Sequence, residues 1–272
     1  MRDFNDYQQL QTIYDSVRSL LLRVIDRQSG QTLILKIARD SGNADLQPGK
    51  LLQQEFQRLQ SIDHPYIIKA RELVSTPYGT GYSMEDIGGL SLADCLQQQS
   101  LSLDEALQLA LQLSEALQAV HQAGYSHRDL NPANIVWNRE HAALRLIDFG
   151  LAGRNMEQPE ELTPAGSLQG TLPYLAPEQS GRVGRPVDYR SDFYSLGATL
   201  YQLFCGQPPF AGNDYAELVH AHIARTPKPA WQCTPAVPRA LSAVLDKLLA
   251  KSPDDRYQSA EGLRADLQHC LQ

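Results

Sequence analysis

Two short stretches concentrate the side chains able to do acid–base and metal chemistry. They are His127-Arg128-Asp129-Leu130-Asn131-Pro132-Ala133-Asn134 and, further on, Asp148-Phe149-Gly150. A carboxylate such as Asp129 can accept or orient a hydroxyl proton. Asp148 and the amide carbonyl of Asn134 are hard oxygen donors, the kind magnesium prefers while it keeps part of its water shell. Upstream, Lys36 ends the apolar run Thr32-Leu33-Ile34-Leu35-Lys36, and Glu55 stands in a segment with helical spacing. A cation held by a carboxylate can grip an anionic group and stay aimed at it.

These side chains need elements to position them. The run over 17–25 and the run QTLILKIA flank the polar turn DRQSG, which predicts a β-hairpin. Leu51, Leu52, Phe56 and Leu59 recur at helical spacing and predict a helix from about Lys50 to Ser61, ended by Asp63-His64-Pro65. Apolar segments near 67–75 and 80–87 complete a small sheet. From Leu90 onward the texture is helical. A capping box, Ser102 with Glu105, opens a helix over 102–123, and Gly124 stops it. Further helices are expected over 191–206, 213–225, 238–251 and 259–271. The layout is a β-rich part over about 1–84, a hinge over about 85–90 with Gly88-Gly89, and a helical part over about 91–272.

The order His127-Arg128-Asp129 … Asn134 … Asp148-Phe149-Gly150 resembles the catalytic and metal-binding loops of the protein kinase family. The resemblance covers essentially the whole chain. It implies one α+β, bilobal domain, with a small β-rich N-lobe and a larger, mainly helical C-lobe. By this resemblance Asp129 orients the acceptor hydroxyl, Lys36 holds the α and β phosphates of ATP, and Glu55 holds Lys36. Asn134 and Asp148 would bind Mg2+, and catalysis would be mostly positioning and charge neutralisation. His127 is expected to pack beneath the catalytic loop, and Asp192 to anchor it. Gly170-Thr171 with Tyr174 leads into Ala176-Pro177-Glu178, which resembles the end of the family's activation segment; Arg256 is expected to pair with Glu178. Thr171 would help to hold Asp129, and the form of this segment favours a Ser/Thr acceptor on a protein. Thr163 and Ser167 are candidate phosphorylation sites that could pair with Arg128.

Three departures from the family pattern stand out. The positions of the phosphate-covering glycines fall on Tyr14, Ser16 and Ser19, where side chains should stiffen or reshape the loop. Ile34 stands where a small residue usually packs on adenine. Asn131 stands where Ser/Thr kinases usually place a lysine. The expected ATP-binding residues are Tyr14, Ser16, Ser19, Leu21, Ile34, Lys36, Met84, Glu85, Ile87 and Val136. A closer similarity lies in SGRVGRPVDYRSDFYSLGATLYQLFCGQPPF, ELVHAHIA and DDRYQSAEGLRADLQHCL. These runs are similar to the amino-terminal kinase-like domain of large bacterial hybrid signalling proteins, where an ATPase region, GAF and histidine kinase modules follow. The resemblance implies a signalling kinase attached to further domains. The departures leave open a pseudokinase that acts by binding, and, more remotely, a kinase of small molecules.

Composition narrows the partners. A net charge of −7 and a pI near 5.5 argue against non-specific nucleic-acid binding and against a polybasic membrane anchor. No apolar run approaches the ~20 residues of a bilayer span, and the start MRDFNDYQQL lacks a signal-peptide layout. The four cysteines are widely spaced, without a CxxC pair. The expectation is a cytoplasmic protein with reduced thiols.

Overall fold

The computed structural model describes residues 1–39, 47–154, 171–212 and 214–271. Among these, the chain divides into two compact units. The first comprises 1–89 together with 138–150, and the second 90–137 with 151–272.

The first unit is built on a six-stranded sheet. Its strands are β1 (Arg2–Asp3), β2 (Tyr7–Asp15), β3 (Ser19–Asp26), β4 (Thr32–Ala38), β5 (Ala70–Thr76) and β6 (Gly79–Glu85). The order across the sheet is β1-β5-β6-β4-β3-β2. Strict alternation in β3 and β4 sends Leu20, Leu22, Val24, Leu33, Leu35 and Ile37 to one face, where they pack with Tyr7 and Val74. The opposite face carries Lys36, directly across from Leu21 on β3 and Tyr82 on β6. The hairpin falls on its two apolar runs, and β5 and β6 fall within a few residues of the apolar segments expected near 67–75 and 80–87. Strand β2 was not legible in that way, because YQQLQTIYD is exposed along all but its first residue and has no apolar alternation. Short β1 pairs in parallel with β5, secured by Arg2 to Asp26 at 2.9 Å and to Glu72 at 3.0 Å.

Helix α1 (Pro48–Gln60) begins with proline at its first turn, a position where the missing N–H costs nothing. Its buried stripe is Leu52, Glu55 and Leu59. Leu51, counted with that stripe from the sequence, is 56% exposed instead. The expected contiguous N-lobe also lacked a part. Residues 138–150 return to this unit because Leu146 N–H donates to Tyr66 O at 2.8 Å and its O accepts from Ile68 N–H at 3.0 Å. Arg145 adds an ion pair to Glu85 at 2.7 Å.

The second unit is mainly helical: α2 (Leu92–Gln98), α3 (Leu103–Gln122), α4 (Arg190–Cys205), α5 (Tyr215–Ala224), α6 (Ala230–Cys233), α7 (Arg239–Leu248) and α8 (Ala260–His269). The capping box at α3 forms as the sequence signals: Ser102 Oγ accepts from Glu105 N–H at 3.3 Å, and Glu105 Oε2 accepts from Ser102 N–H at 3.0 Å. Helix α4 is buried on nearly every side, so its apolar residues could not show a one-sided stripe. Short α2 was not anticipated from the sequence. Among the described residues no helix is long and apolar enough to cross a membrane.

Candidate active site

Within the first unit, the sheet and α1 converge on one cation. Lys36 Nζ donates to Glu55 Oε1 and Oε2 at 2.8 and 3.0 Å, and to Asp148 Oδ1 at 2.9 Å. Burial pulls the Lys36 pKa down, but the charges of Glu55 and Asp148 outweigh it and hold the ammonium above its ordinary range. The lysine is a fixed cation. Glu55 also accepts from Phe149 N–H at 3.1 Å, and Gly150 N–H donates to Asp148 Oδ1 at 3.2 Å. Asp148 sits in the left-handed backbone region at φ 63°, a costly conformation for a non-glycine residue that is common at functional sites. Phe149 is fully buried.

The residues expected around a nucleotide are ordered by the pairing register. Tyr14, Leu21, Lys36 and Tyr82 face one another across neighbouring strands, and Ile34 with Met84 forms the adjoining row. Beside that row, Arg23 pairs with Asp86 at 2.6 Å. Ser16 and Ser19 form a closed turn: Ser16 N–H donates to Ser19 O at 2.9 Å, and Ser19 N–H to Ser16 Oγ at 3.0 Å. Arg39 braces this turn through Asp15 at 2.7 Å and Ser16 O at 2.9 Å. The glycine-free loop is thus reshaped into a self-bonded hairpin end. Glu85 turns its side chain to Arg145, and Ile87 O accepts from Asn138 Nδ2 at 2.7 Å. Val136 belongs to the second unit, opposite Ser91.

Within the second unit, the carboxylate of Asp129 is ringed by neutral donors. Oδ1 accepts from Thr171 N–H at 3.0 Å, Thr171 Oγ1 at 3.1 Å and Asn131 Nδ2 at 3.2 Å. Oδ2 accepts from Asn134 Nδ2 at 3.0 Å. Asn134 also donates to Asp129 O at 2.9 Å, so its amide hydrogens are spent there and its carbonyl oxygen is the atom left for a ligand. Asn131 is nearly fully buried. It bridges Asp129 and Thr171 Oγ1 at 3.1 Å, and accepts from Ala133 N–H at 2.9 Å. A lysine expected from the family pattern is thus replaced by a neutral amide with a defined place.

Beneath this loop lies Asp192, fully buried on α4. It accepts from His127 N–H at 2.9 Å, from Arg128 N–H at 2.8 Å, and pairs with His121 Nε2 at 2.9 Å. Burial pushes its pKa up, yet the His121 contact and the backbone donors hold it below the ordinary carboxylate value. His127 is fully buried and accepts from Asp129 N–H through Nδ1 at 3.4 Å. Arg128, at φ 66°, packs against Gly153, where an added Cβ would collide with the guanidinium. Glu178 and Arg256 form a bidentate pair at 2.6 and 2.9 Å. Thr163 and Ser167 lie outside the described residues.

The sequence reading missed Tyr82, Arg58, Arg39 and the Arg23–Asp86 pair. Each acts through tertiary contacts, and none belongs to a short motif. Tyr82 offered one signal, a tyrosine two residues before Met84 in a segment expected to be a strand, since a buried phenol needs a partner.

The comparisons accord with this geometry. The model of the protein kinase domain matches residues 7–267. A probable serine/threonine-protein kinase of Streptomyces coelicolor is 32% identical over 254 residues, 90% of this chain and 37% of the relative. The serine/threonine-protein kinase PknB of Mycolicibacterium smegmatis is 35% identical over 220 residues, 79% of this chain and 35% of the relative. PknB of Mycobacterium tuberculosis is 34% identical over the same length. The chain spans little more than a third of these curated relatives. With the domain match running over nearly its full length, this chain belongs to the protein kinase family.

Proposed function

We propose that the chain is one protein kinase domain that transfers the γ-phosphate of ATP to a Ser or Thr hydroxyl of a protein, in bacterial signal transduction. The observation that carries this reading is the Lys36–Glu55–Asp148 constellation, together with an Asp129 carboxylate aimed by Thr171, Asn131 and Asn134. Lys36 supplies the fixed cation for the phosphates, and Glu55 keeps it extended. Asp129 accepts the hydroxyl proton, or orients the hydroxyl, as the new P–O bond forms and the bond to the ADP leaving group breaks. Asn134 Oδ1 in the second unit and the half-exposed Asp148 carboxylate in the first are each a hard oxygen of the kind magnesium takes. Such an ion, when bound, neutralises phosphate charge. Among the described residues no cluster of three or more His, Cys, Asp and Glu side chains is placed to hold a metal alone.

Similarity to the amino-terminal domain of hybrid signalling proteins, and relatives that are longer than this chain, support a place in a larger cytoplasmic protein with further domains. A second reading, a regulatory binding module, is favoured by one observation. The Ser16–Ser19 turn spends two of its backbone N–H groups on itself, leaving fewer donors for phosphate.

The test is transfer of labelled γ-phosphate from Mg-ATP to a basic protein acceptor and to the chain's own Ser and Thr, beside Asp148→Ala. Transfer by the wild type that the substitution removes supports the kinase. Absence of transfer in both, without an ATP-dependent thermal shift, rejects it in favour of the binding module.

A further inference from the structure

The Glu55 carboxylate accepts from a donor that the catalytic motifs do not contain. Tyr82 Oη–H donates to Glu55 Oε1 at 3.0 Å. Tyr82 stands directly opposite Lys36 on the central strand β6 and is 1% exposed. Burial, and then the negative charge of Glu55, hold its pKa well above the phenol range, so it remains a donor. Its ring also packs on Phe56 of α1, with centroids 5.8 Å apart. On the same helix, Arg58 Nη1 donates to Phe149 O at 3.1 Å and Gly150 O at 3.4 Å. Glu55 meanwhile accepts from Phe149 N–H. Helix α1 therefore grips the N–H of Phe149 with one side chain and its C=O with another, and the sheet grips α1 through a phenol.

We infer that Tyr82 and Arg58 are positioning residues that hold Glu55 and Asp148-Phe149-Gly150 in the Lys36-paired arrangement before nucleotide binds. The inference rests on the kinase reading for its catalytic consequence, and stands on unit-internal contacts for its structural one. A buried carboxylate that loses one of its donors keeps the full cost of desolvation. Loss of the phenol should thus shift α1 away from the paired position roughly tenfold to a hundredfold.

The experiment compares wild type, Tyr82→Phe and Arg58→Met, all treated with phosphatase and without nucleotide. Hydrogen exchange of the α1 amides is followed beside those of β3 and α3. The expected result is protected α1 amides in the wild type and exchange at least about tenfold faster in Tyr82→Phe, with β3 and α3 unchanged. Arg58→Met should loosen Phe149 and Gly150 in the same way, and it keeps the inference testable if Tyr82→Phe does not fold. In transfer assays, kcat/KM for ATP should fall in both variants, while KM for the protein acceptor stays the same. Equal α1 exchange in all three proteins overturns the inference. A wild type without transfer but with the exchange difference intact refutes the kinase reading and leaves the positioning role standing.

Discussion

Replacing Arg256 by alanine removes five donors from the interior of the second unit at once. Nε donates to Ala250 O at 2.8 Å, Nη1 to Glu178 Oε1 at 2.6 Å and Arg190 O at 3.0 Å, and Nη2 to Glu178 Oε2 at 2.9 Å and Lys251 O at 3.0 Å. Both side chains of the pair are at most 1% exposed. After the change, Ser191 Oγ at 2.6 Å still donates to the Glu178 carboxylate, but that buried charge has lost its cation and three carbonyls have each lost a donor. Breaking a buried pair by removing one member costs about 3–5 kcal/mol. For a chain of this size that lowers Tm by roughly 6–20 °C. Both tryptophans, Trp137 and Trp231, lie in the second unit, so urea unfolding followed by their fluorescence reads the unit that holds the pair. Removing both partners, in Arg256→Met with Glu178→Met, should cost clearly less than the sum of the single changes, because no charge is then stranded. A cost below about 1 kcal/mol for Arg256→Ala, or strict additivity in the double variant, would refute the reasoning.

Two further outcomes follow from the same geometry. His222 is buried between Tyr194 and Phe210, and burial, then the Lys251 charge, lowers its pKa from 6.5 to about 4. The unfolded chain takes up a proton below pH 6.5 that the folded one refuses until about pH 4. The His222 contribution should therefore be level above pH 6.5 and lower stability as pH drops towards 4, by about 3 kcal/mol at most. His222→Gln should flatten the difference between urea midpoints at pH 7 and pH 5. Asn131→Ala removes the bridge to Asp129 and Thr171 and the acceptor for Ala133 N–H. A hydrogen bond to a charged group is worth about 1.5–3 kcal/mol, so kcat should fall roughly tenfold to a hundredfold with KM for ATP nearly unchanged. Steady-state kinetics decide it, and an unaltered kcat would show that Asn131 does not aim Asp129.

Much of the site was legible because its residues sit in short, contiguous stretches. Asp129, Asn131 and Asn134 share one loop, and Asp148, Phe149 and Gly150 share another. Lys36 and Glu55 were legible through the family resemblance, from a lysine ending the Thr32–Lys36 run and a glutamate ten residues before Pro65, while local periodicity placed the strand and the helix that carry them. The α3 capping box was equally visible, because its two partners are three residues apart. Sequence alone thus determined the family resemblance, the candidate chemistry and most of the element boundaries.

Tertiary structure decided what local chemistry cannot encode. Strand β2 exists because it pairs with β3, although its own residues are polar and exposed. Residues 138–150 join the first unit through backbone bonds to Tyr66 and Ile68, partners far away in the chain. Tyr82 and Arg58 gain their roles only when the sheet, α1 and the Phe149 peptide meet. Asn131 looked like a missing charge, and folding turned it into the bridge that holds Asp129 to Thr171. The physical reason is the same in each case: a hydrogen bond has a direction and a partner, and distant partners are brought within reach only by the packed fold.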